Sequence, residues 1–445
     1  MKLKKALRYK KNESIAFVGA GGKTTAMFIL AKELNSPVIV SASTHLMQSQ
    51  INLADNHITV KDKREVKEKL RMIKDEVVLI TSDHYTDQRV SGLESNTMDE
   101  LFEKTRLKKI PMLIEADGSR RKPIKAPETH EPPIPKQIDI VIVSVGLTAL
   151  GKIIDEKSVH RVDKFMQIVE KDKGELIDNK DVVRLLTNKD GGLKNIPKQS
   201  KRVVLLNQAD NEYLTNQAKA IADELIMVFD TVLISSFRDH VIEKSDSIVK
   251  YGYEKTAGII LAAGEASRFG EPKQLINWKG KPLILHTAEI ALNAGLDPVI
   301  VVIGAVRREI KKVLQELPVK IVTNELWKKG QSTSLRIGIE SINRYVGAAV
   351  VLLADQPCIS EELIRNLLSK HRTDYDRIIA PFVNGQRTNP VLFDREMFKE
   401  LTIIKGDVGA RELIRNSEIT KLFWNDENLL NDIDTLDDYK RLLNI

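Results

Sequence analysis

Residues 258–273 read GIILAAGEASRFGEPK, an apolar run followed by a glycine-containing turn that closes with Arg268 and Lys273. Backbone N–H groups at such a turn, joined by a guanidinium fork and an ammonium, suit a triphosphate. Its charge must be bound and its α-phosphorus held in line for attack. Leu261, Ala262, Ala263, Gly264 and Ser267 are the expected nucleotide contacts, with Arg268 and Lys273 as catalytic cations. Farther on, AAVVLLADQP carries Asp355 to the end of a buried strand. Open α/β sheets bind ligands outside the carboxyl ends of their strands, so Asp355 and the 261–273 loop are predicted to share one crevice. A carboxylate beside triphosphate oxygens is repelled unless a cation bridges them, and Mg2+ would reverse that sign and polarise the α-phosphate. NDIDTLDDY offers Asp432, Asp434 and Asp437, of which Asp434 is the predicted second metal ligand beside Asp355. An acidic helix start is the competing reading of that run. Gly330, Ser332 and Ser334 are predicted at a helix start, donating to ribose or phosphate or simply capping the helix.

A second phosphate-type loop lies near the amino terminus. SIAFVGAGGKTTAMFILAKEL places Gly19, Gly21, Gly22, Lys23, Thr24 and Thr25 between a buried strand and a helix. Glycines let successive N–H groups converge, the lysine reaches the β- and γ-phosphates, and a hydroxyl holds Mg2+. The full G-x-x-x-x-G-K-[ST] pattern would need glycine where Phe17 stands, so the match is a variant. A dinucleotide fingerprint starting at Gly19 would need glycine at Thr24. A tight turn with an incidental lysine is the plain alternative. PMLIEADGS ends a strand in Glu115 and Asp117, where a carboxylate would bind Mg2+ across from Thr24. Asp117 with Thr24 is the predicted metal pair, although strand-end acids also serve as helix caps. RVVLLNQAD ends in Asn207, Gln208, Ala209 and Asp210, a reduced N-K-x-D guanine clamp in which Gln208 replaces the lysine. ATP and GTP both stay open as the ligand of this half.

These motifs need strands to deliver them. Short β-branched runs alternate with longer amphipathic stretches along the whole chain, which predicts α/β architecture with mainly parallel sheets and helices on both faces. At 445 residues the chain exceeds one ordinary core. Two domains are expected, 1–250 and 256–445, with the seam around VKYGYEKT at 249–256. Hydrophobic residues at 42% and charged residues at 29% describe a soluble globular protein. The formal charge of +7 and pI near 9.1 suit nucleic acid, small anionic substrates or a lysine-rich surface. Scattered lysines and only 5% aromatic residues argue against nucleic acid. No apolar run approaches the roughly 20 residues of a membrane span, and MKLKKALRYKKNES lacks the apolar centre of a secretory signal. A cytoplasmic location is expected. Cys358 is the single cysteine and reads as a small packed residue. No G-x-S-x-G or Cys/His arrangement is present, and none is required where an ionised phosphate is the nucleophile.

GAGGKTT, STHL (43–46), EADGSRRKPIKAPETHEPPIP (115–135) and LLNQAD together resemble the YqeC-type accessory proteins of selenium-dependent molybdenum hydroxylases, over roughly residues 10–245. The resemblance implies a P-loop-like domain serving maturation of such enzymes, with such a hydroxylase as a partner. Its basic cluster Arg120, Arg121, Lys122 and Lys125 reads either as an anion site or as a solvated charged loop. The second half resembles the molybdenum cofactor cytidylyltransferases of MocA type, over about residues 256–445. LAAG…RFG.PK, DQP (355–357), WKKGQSTSLRIG (327–338), RTNPVLF (387–393), GDVGAR (406–411) and DIDT (432–435) carry the likeness. It implies a Rossmann-like nucleotidyltransferase fold, Mg2+, and transfer of a nucleotidyl group from CTP to the terminal phosphate of molybdopterin, releasing pyrophosphate. Asn389 and Asp407 are then candidates for the pterin side. Ala263, where guanylyl-transferring relatives tend to carry glycine, leans toward CTP. Ala266, with Ser267 one place later, and Thr388 depart from the family pattern. The competing readings are a cofactor carrier without nucleotidyl chemistry and a sugar-phosphate nucleotidyltransferase.

Overall fold

A computed structural model describes the chain except for residues 35–36, 75, 87, 239–246, 265–271, 405, 407–409 and 444–445. Ser267, Arg268, Ala266 and Asp407, all singled out above, lie outside the described residues. The chain divides into two compact units, Met1–Tyr253 and Glu254–Ile445. Both are α/β, as the alternation of apolar runs predicts.

The first unit holds a sheet that, among the described residues, has nine strands. Their order is Val249–Glu254, Thr231–Ser235, Lys201–Asn207, Ile140–Gly146, Ile15–Gly19, Met112–Glu115, Val38–Ala42, Val77–Thr81 and Asn56–Thr59. From Thr231–Ser235 to Asn56–Thr59 every pairing is parallel. The chain starts in the middle at Ile15–Gly19, builds first to one side and then to the other. The strand order therefore reverses at that strand, and ligands of open sheets bind at such reversals. Phe17 is fully buried inside the strand, which explains why the glycine loop is short: the chain leaves the sheet only at Gly19.

Gly19, Gly21 and Gly22 adopt φ of 89°, 75° and 112°, the left-handed region that suits glycine. Space is as restrictive as torsion. A Cβ on Gly21 would lie 2.1 Å from the backbone nitrogen of Gly146, and one on Gly19 would lie 2.4 Å from the carbonyl oxygen of Ser144. Gly21→Ala is accordingly expected to destabilise this unit by about 2 kcal/mol or more, read as a lowered melting temperature.

In the second unit the strands run Lys320–Thr323, Val299–Ile303, Thr256–Ala262, Ala348–Leu353, Val391–Asp394 and Ile378–Val383. The first four are parallel, and Val391–Asp394 is antiparallel to both of its neighbours. Alternation along Thr256–Ala262 sends Ile260 and Ala262 into one core and Ala257 and Ile259 into the other, the period of two that a sheet covered on both faces requires. Two apolar layers thus fix the strand whose carboxyl end carries the 261–273 loop. Among the described residues no helix is long and apolar enough to cross a membrane.

Candidate nucleotide and acceptor sites

The two described ends of the segment after Thr256–Ala262 are tied together. Gln274, buried just after Lys273, donates through Nε2 to the carbonyl oxygens of Ala262 (3.3 Å) and Gly264 (3.0 Å). Lys273 stands next to that tie, and its Nζ lies 2.7 Å from Asp434 Oδ1. The neighbouring parallel strand Ala348–Leu353 delivers Asp355, whose carbonyl oxygen accepts from the N–H of Ile433 at 3.0 Å. That bond draws the DIDT segment alongside. Burial, reinforced by Asp432, pushes the Asp355 carboxyl up to about 6 against the pull of Lys273. Asp432 is likewise raised by burial and by Asp434, while a 2.7 Å hydrogen bond from Gln356 opposes this.

The crevice thus joins Asp355 to Lys273 as the sequence predicts, but it divides the acids differently. Asp434 is the partner of Lys273, and Asp432 is the acid that presses most on Asp355. Asp437 is exposed in the first turn of the helix Leu436–Leu443, as an acidic helix start would be. Among the described residues no three His, Cys, Asp or Glu side chains form a ready-made metal cluster. Mg2+ needs none, since it is commonly held by one or two carboxylates plus substrate phosphates and water. A largely buried carboxylate, raised by that burial and by Asp432, with oxygen donors only, fits such a cation.

Two cavities meet at this place. One, of about 420 Å³, is lined by Ala263, Gly264, Lys273, Trp327, Ser334 and Asp355. The other, of about 260 Å³, is lined by Gln356, Arg387, Thr388, Asn389 and Asp432. Leu261, Gln331, Leu353 and Arg411 line both. Arg387 is held below the usual guanidinium range by burial and by the like charge of Arg411. Neither arginine makes a salt bridge among the described residues. Sequence reading missed both, although each stands inside a quoted motif.

Other predicted contacts sort by orientation. Ser334 faces the larger cavity, whereas Ser332 and Gly330 do not line it. Ser332 donates its backbone N–H to the carbonyl of Gly406 at 3.4 Å. Fully buried Asn324 donates to Thr333 (2.8 Å) and Ser334 (2.9 Å), organising a helix, Gln331–Glu340, that has no side-chain cap of its own. Ala262 is buried, while Leu261 and Ala263 reach the cavity. Thr388 lines the smaller cavity and donates to the carbonyl of Leu429 at 3.3 Å. Cys358 is half-buried and its thiol is raised by burial, the property of a packed residue.

In the first unit the glycine loop leads into the helix Lys23–Glu33, whose start at Gly22 has no side-chain cap. Lys23 is buried. Its Nζ donates to the carbonyl of Gly19 (2.6 Å) and pairs with Asp117 (3.3 Å) and Glu115 (3.7 Å). The Thr24 hydroxyl donates to Glu115 at 2.6 Å, so Glu115 stands where the sequence placed Asp117. Asp117 is occupied otherwise: it accepts from the Gly19 N–H at 3.0 Å and pairs with Lys125 at 2.9 Å. Thr25 is exposed on the helix. Asn207 braces the loop, donating to the carbonyl of Gly21 at 2.7 Å and accepting from Ser235, while Asp210 accepts from Ser236 at 2.7 Å. Gln208 accepts from Thr148 at 2.6 Å. The reduced clamp is thus engaged within the fold.

The fold and the crevice of the second unit define an enzyme of the nucleotidyltransferase class, and residues 258–421 match the MobA-like NTP transferase domain. Residues 15–163 match the YqeC protein family, and the chain belongs to that family through its first half, fused to the transferase domain. It is 31% identical over 199 residues to the uncharacterized protein YqeC of Escherichia coli (strain K12), covering 44% of this chain and 75% of that one. Over 196 residues it is 30% identical to nicotine blue oxidoreductase of Paenarthrobacter nicotinovorans, covering 42% of this chain and 95% of the relative. A probable molybdenum cofactor guanylyltransferase of Bacillus mycoides (strain KBAB4) is 31% identical over 140 residues, 31% of this chain and 66% of the relative. Among solved structures, Rv0371c from Mycobacterium tuberculosis H37Rv aligns with 26% identity and a TM-score of 0.40, over 43% of this chain and 98% of that one.

Proposed function

We propose that the second unit transfers the cytidylyl group of CTP, with Mg2+, to the terminal phosphate of molybdopterin and releases pyrophosphate. The supporting observation is the pair of cavities: one holds Lys273 and Asp355, the other Arg387 and Arg411, which make no salt bridge among the described residues, and both share the wall formed by Leu261, Gln331, Leu353 and Arg411. A donor triphosphate and a phosphate-bearing acceptor need such an arrangement.

On this reading Gln274 ties the described ends of the loop, and Lys273 turns from Asp434 to the triphosphate. Arg387 and Arg411 hold the acceptor phosphate, with Arg411 on the shared wall setting its distance from the α-phosphorus. An acceptor oxygen forms a bond to the α-phosphorus as the bond to the β-phosphate oxygen breaks and pyrophosphate departs. No side chain needs to take a proton, because the acceptor is already ionised, so catalysis rests on positioning and charge. Asp355, with Asp432 beside it, would hold the cation, which when bound supplies charge neutralisation at the phosphates. Arg268 and Ser267 would complete the phosphate contacts, and Asn389 and Asp407 the pterin side. Asp434 gives way to Asp432 as the second carboxylate.

Relatives named as guanylyltransferases support a molybdenum cofactor acceptor and make GTP the rival donor, while Ala263 favours CTP. The relative named as an oxidoreductase favours a second reading, redox chemistry in the same cavity. Purified protein with Mg2+ and molybdenum-loaded molybdopterin should release pyrophosphate faster from CTP than from GTP, and should not oxidise NADH or NADPH. Tight cofactor binding with no pyrophosphate from any nucleotide would leave a carrier. Arg411→Ala should raise the KM for the acceptor by about tenfold or more and that for CTP less.

For the first unit we infer binding of ATP or GTP at the glycine loop, with Thr24 and Glu115 as the pair beside Mg2+. The unit would serve maturation of a selenium-dependent molybdenum hydroxylase in the cytoplasm, the seam at 249–256 separating the two working domains. Phosphate release that vanishes in Lys23→Ala would identify hydrolysis.

A further inference from the structure

Residues 118–127 of the EADGSRRKPIKAP block are not absorbed by either phosphate loop, and their charges divide in two. Lys125 points inward, pairing with Asp117 at 2.9 Å and Glu131 at 2.8 Å and donating to the carbonyl of Gly118 at 2.7 Å. Arg161 pairs with Glu131 at 2.9 Å. Buried acids are thereby matched to buried or half-buried cations, as low-dielectric surroundings demand. Arg120 and Arg121 remain outside. Both are exposed, and neither they nor Lys122 make a side-chain hydrogen bond or salt bridge among the described residues.

The backbone that carries them is fixed. Lys122 N–H donates to the Ser119 carbonyl at 2.9 Å, Gly146 N–H donates to the Pro123 carbonyl at 2.7 Å, and Ile124–Lys125 pairs in parallel with Val159–His160. Residues 118–125 therefore run as a strap over the carboxyl ends of the central strands, where an open sheet takes its ligands. Arg120 and Arg121 both hold positive φ, 49° and 61°. Charge accumulates along the strap. His160 is held below its usual value by burial and then by Lys125 and Arg120, and Arg161 is lowered by burial and by Arg120. His160 accepts from Arg161 Nε at 3.5 Å, which requires that ring nitrogen to be unprotonated.

We propose that Arg120, Arg121 and Lys122 form a binding site for a phosphate-class oxyanion distinct from the glycine loop. Two guanidinium forks on a pinned strap, with no internal counter-charge left over, present the donors such an anion needs. The site stands on the strap alone and does not rest on the nucleotide reading of either unit.

Inorganic phosphate titrated calorimetrically into the full chain tests this. The component of binding that depends on the strap is obtained by comparison with Arg120→Gln/Arg121→Gln, which should melt within a degree or two of the parent. That variant should bind phosphate at least about tenfold more weakly, while Arg120→Lys/Arg121→Lys keeps part of the affinity. The strap-dependent component should persist under saturating Mg-ATP. Equal affinity in the glutamine variant overturns the proposal, and so does abolition of the component by Mg-ATP, which would assign these arginines to the nucleotide's own phosphates.

Discussion

Asp355→Asn should melt at a higher temperature than the parent at pH 7, yet transfer nucleotide at least about 10²-fold more slowly. The sign follows from the direction of the shift. Asp355 is raised to about 6, so the folded protein binds its proton more tightly than the unfolded chain, whose ordinary value is 3.8. Ionising it at neutral pH therefore costs folding stability, about 3 kcal/mol at 1.36 kcal/mol per unit. That cost is fully present above about pH 6 and fades as pH falls toward 4. The melting advantage of the asparagine variant should fade over the same range, and equal melting at pH 7 would show that Asp355 is not strained by its surroundings. Metal binding competes with the same proton, so the apparent Mg2+ affinity of the parent should fall up to tenfold per pH unit below about 6.

Lys273→Ala should lower kcat for pyrophosphate release by roughly 10²–10³-fold, the usual cost of removing one preorganised donor to developing charge. A second effect separates an electrostatic role from a merely structural one. Lys273 holds the Asp355 carboxyl down, so its loss should move the acid limb of the pH–rate profile upward. Lys273→Arg, which keeps the charge on a different reach, should restore the position of that limb while recovering only part of the rate. An unshifted limb would detach Lys273 from Asp355.

The fold class was legible because strand alternation and helical stretches are local patterns, and both units are built from them. Lys273 and Asp355 were legible because one closes the loop that follows a strand and the other directly follows the neighbouring strand, at the sheet's carboxyl edge, where topology alone predicts their meeting. Asp432 and Asp434 are two residues apart, and no local signal tells which one turns to Asp355. That is decided by the bond between Ile433 and the Asp355 carbonyl, a contact across 78 residues of chain. Lys125 shows the same limit. Beside Arg120, Arg121 and Lys122 it looks like one more surface cation, yet strap pairing with Val159–His160 turns it inward onto Asp117 and Glu131. Arg387 and Arg411 come from separate motifs and meet only when the fold brings them to one cavity.

The shared wall of Leu261, Gln331, Leu353 and Arg411 has a kinetic corollary. Once the two ligands are fused into one molecule, that molecule touches both chambers and cannot leave piecemeal, since each half holds the other at high effective concentration. On the proposed reaction, pyrophosphate escapes first and the dinucleotide-like product lingers. It should then be the strongest inhibitor of the enzyme, and turnover should quicken when a recipient protein strips it away.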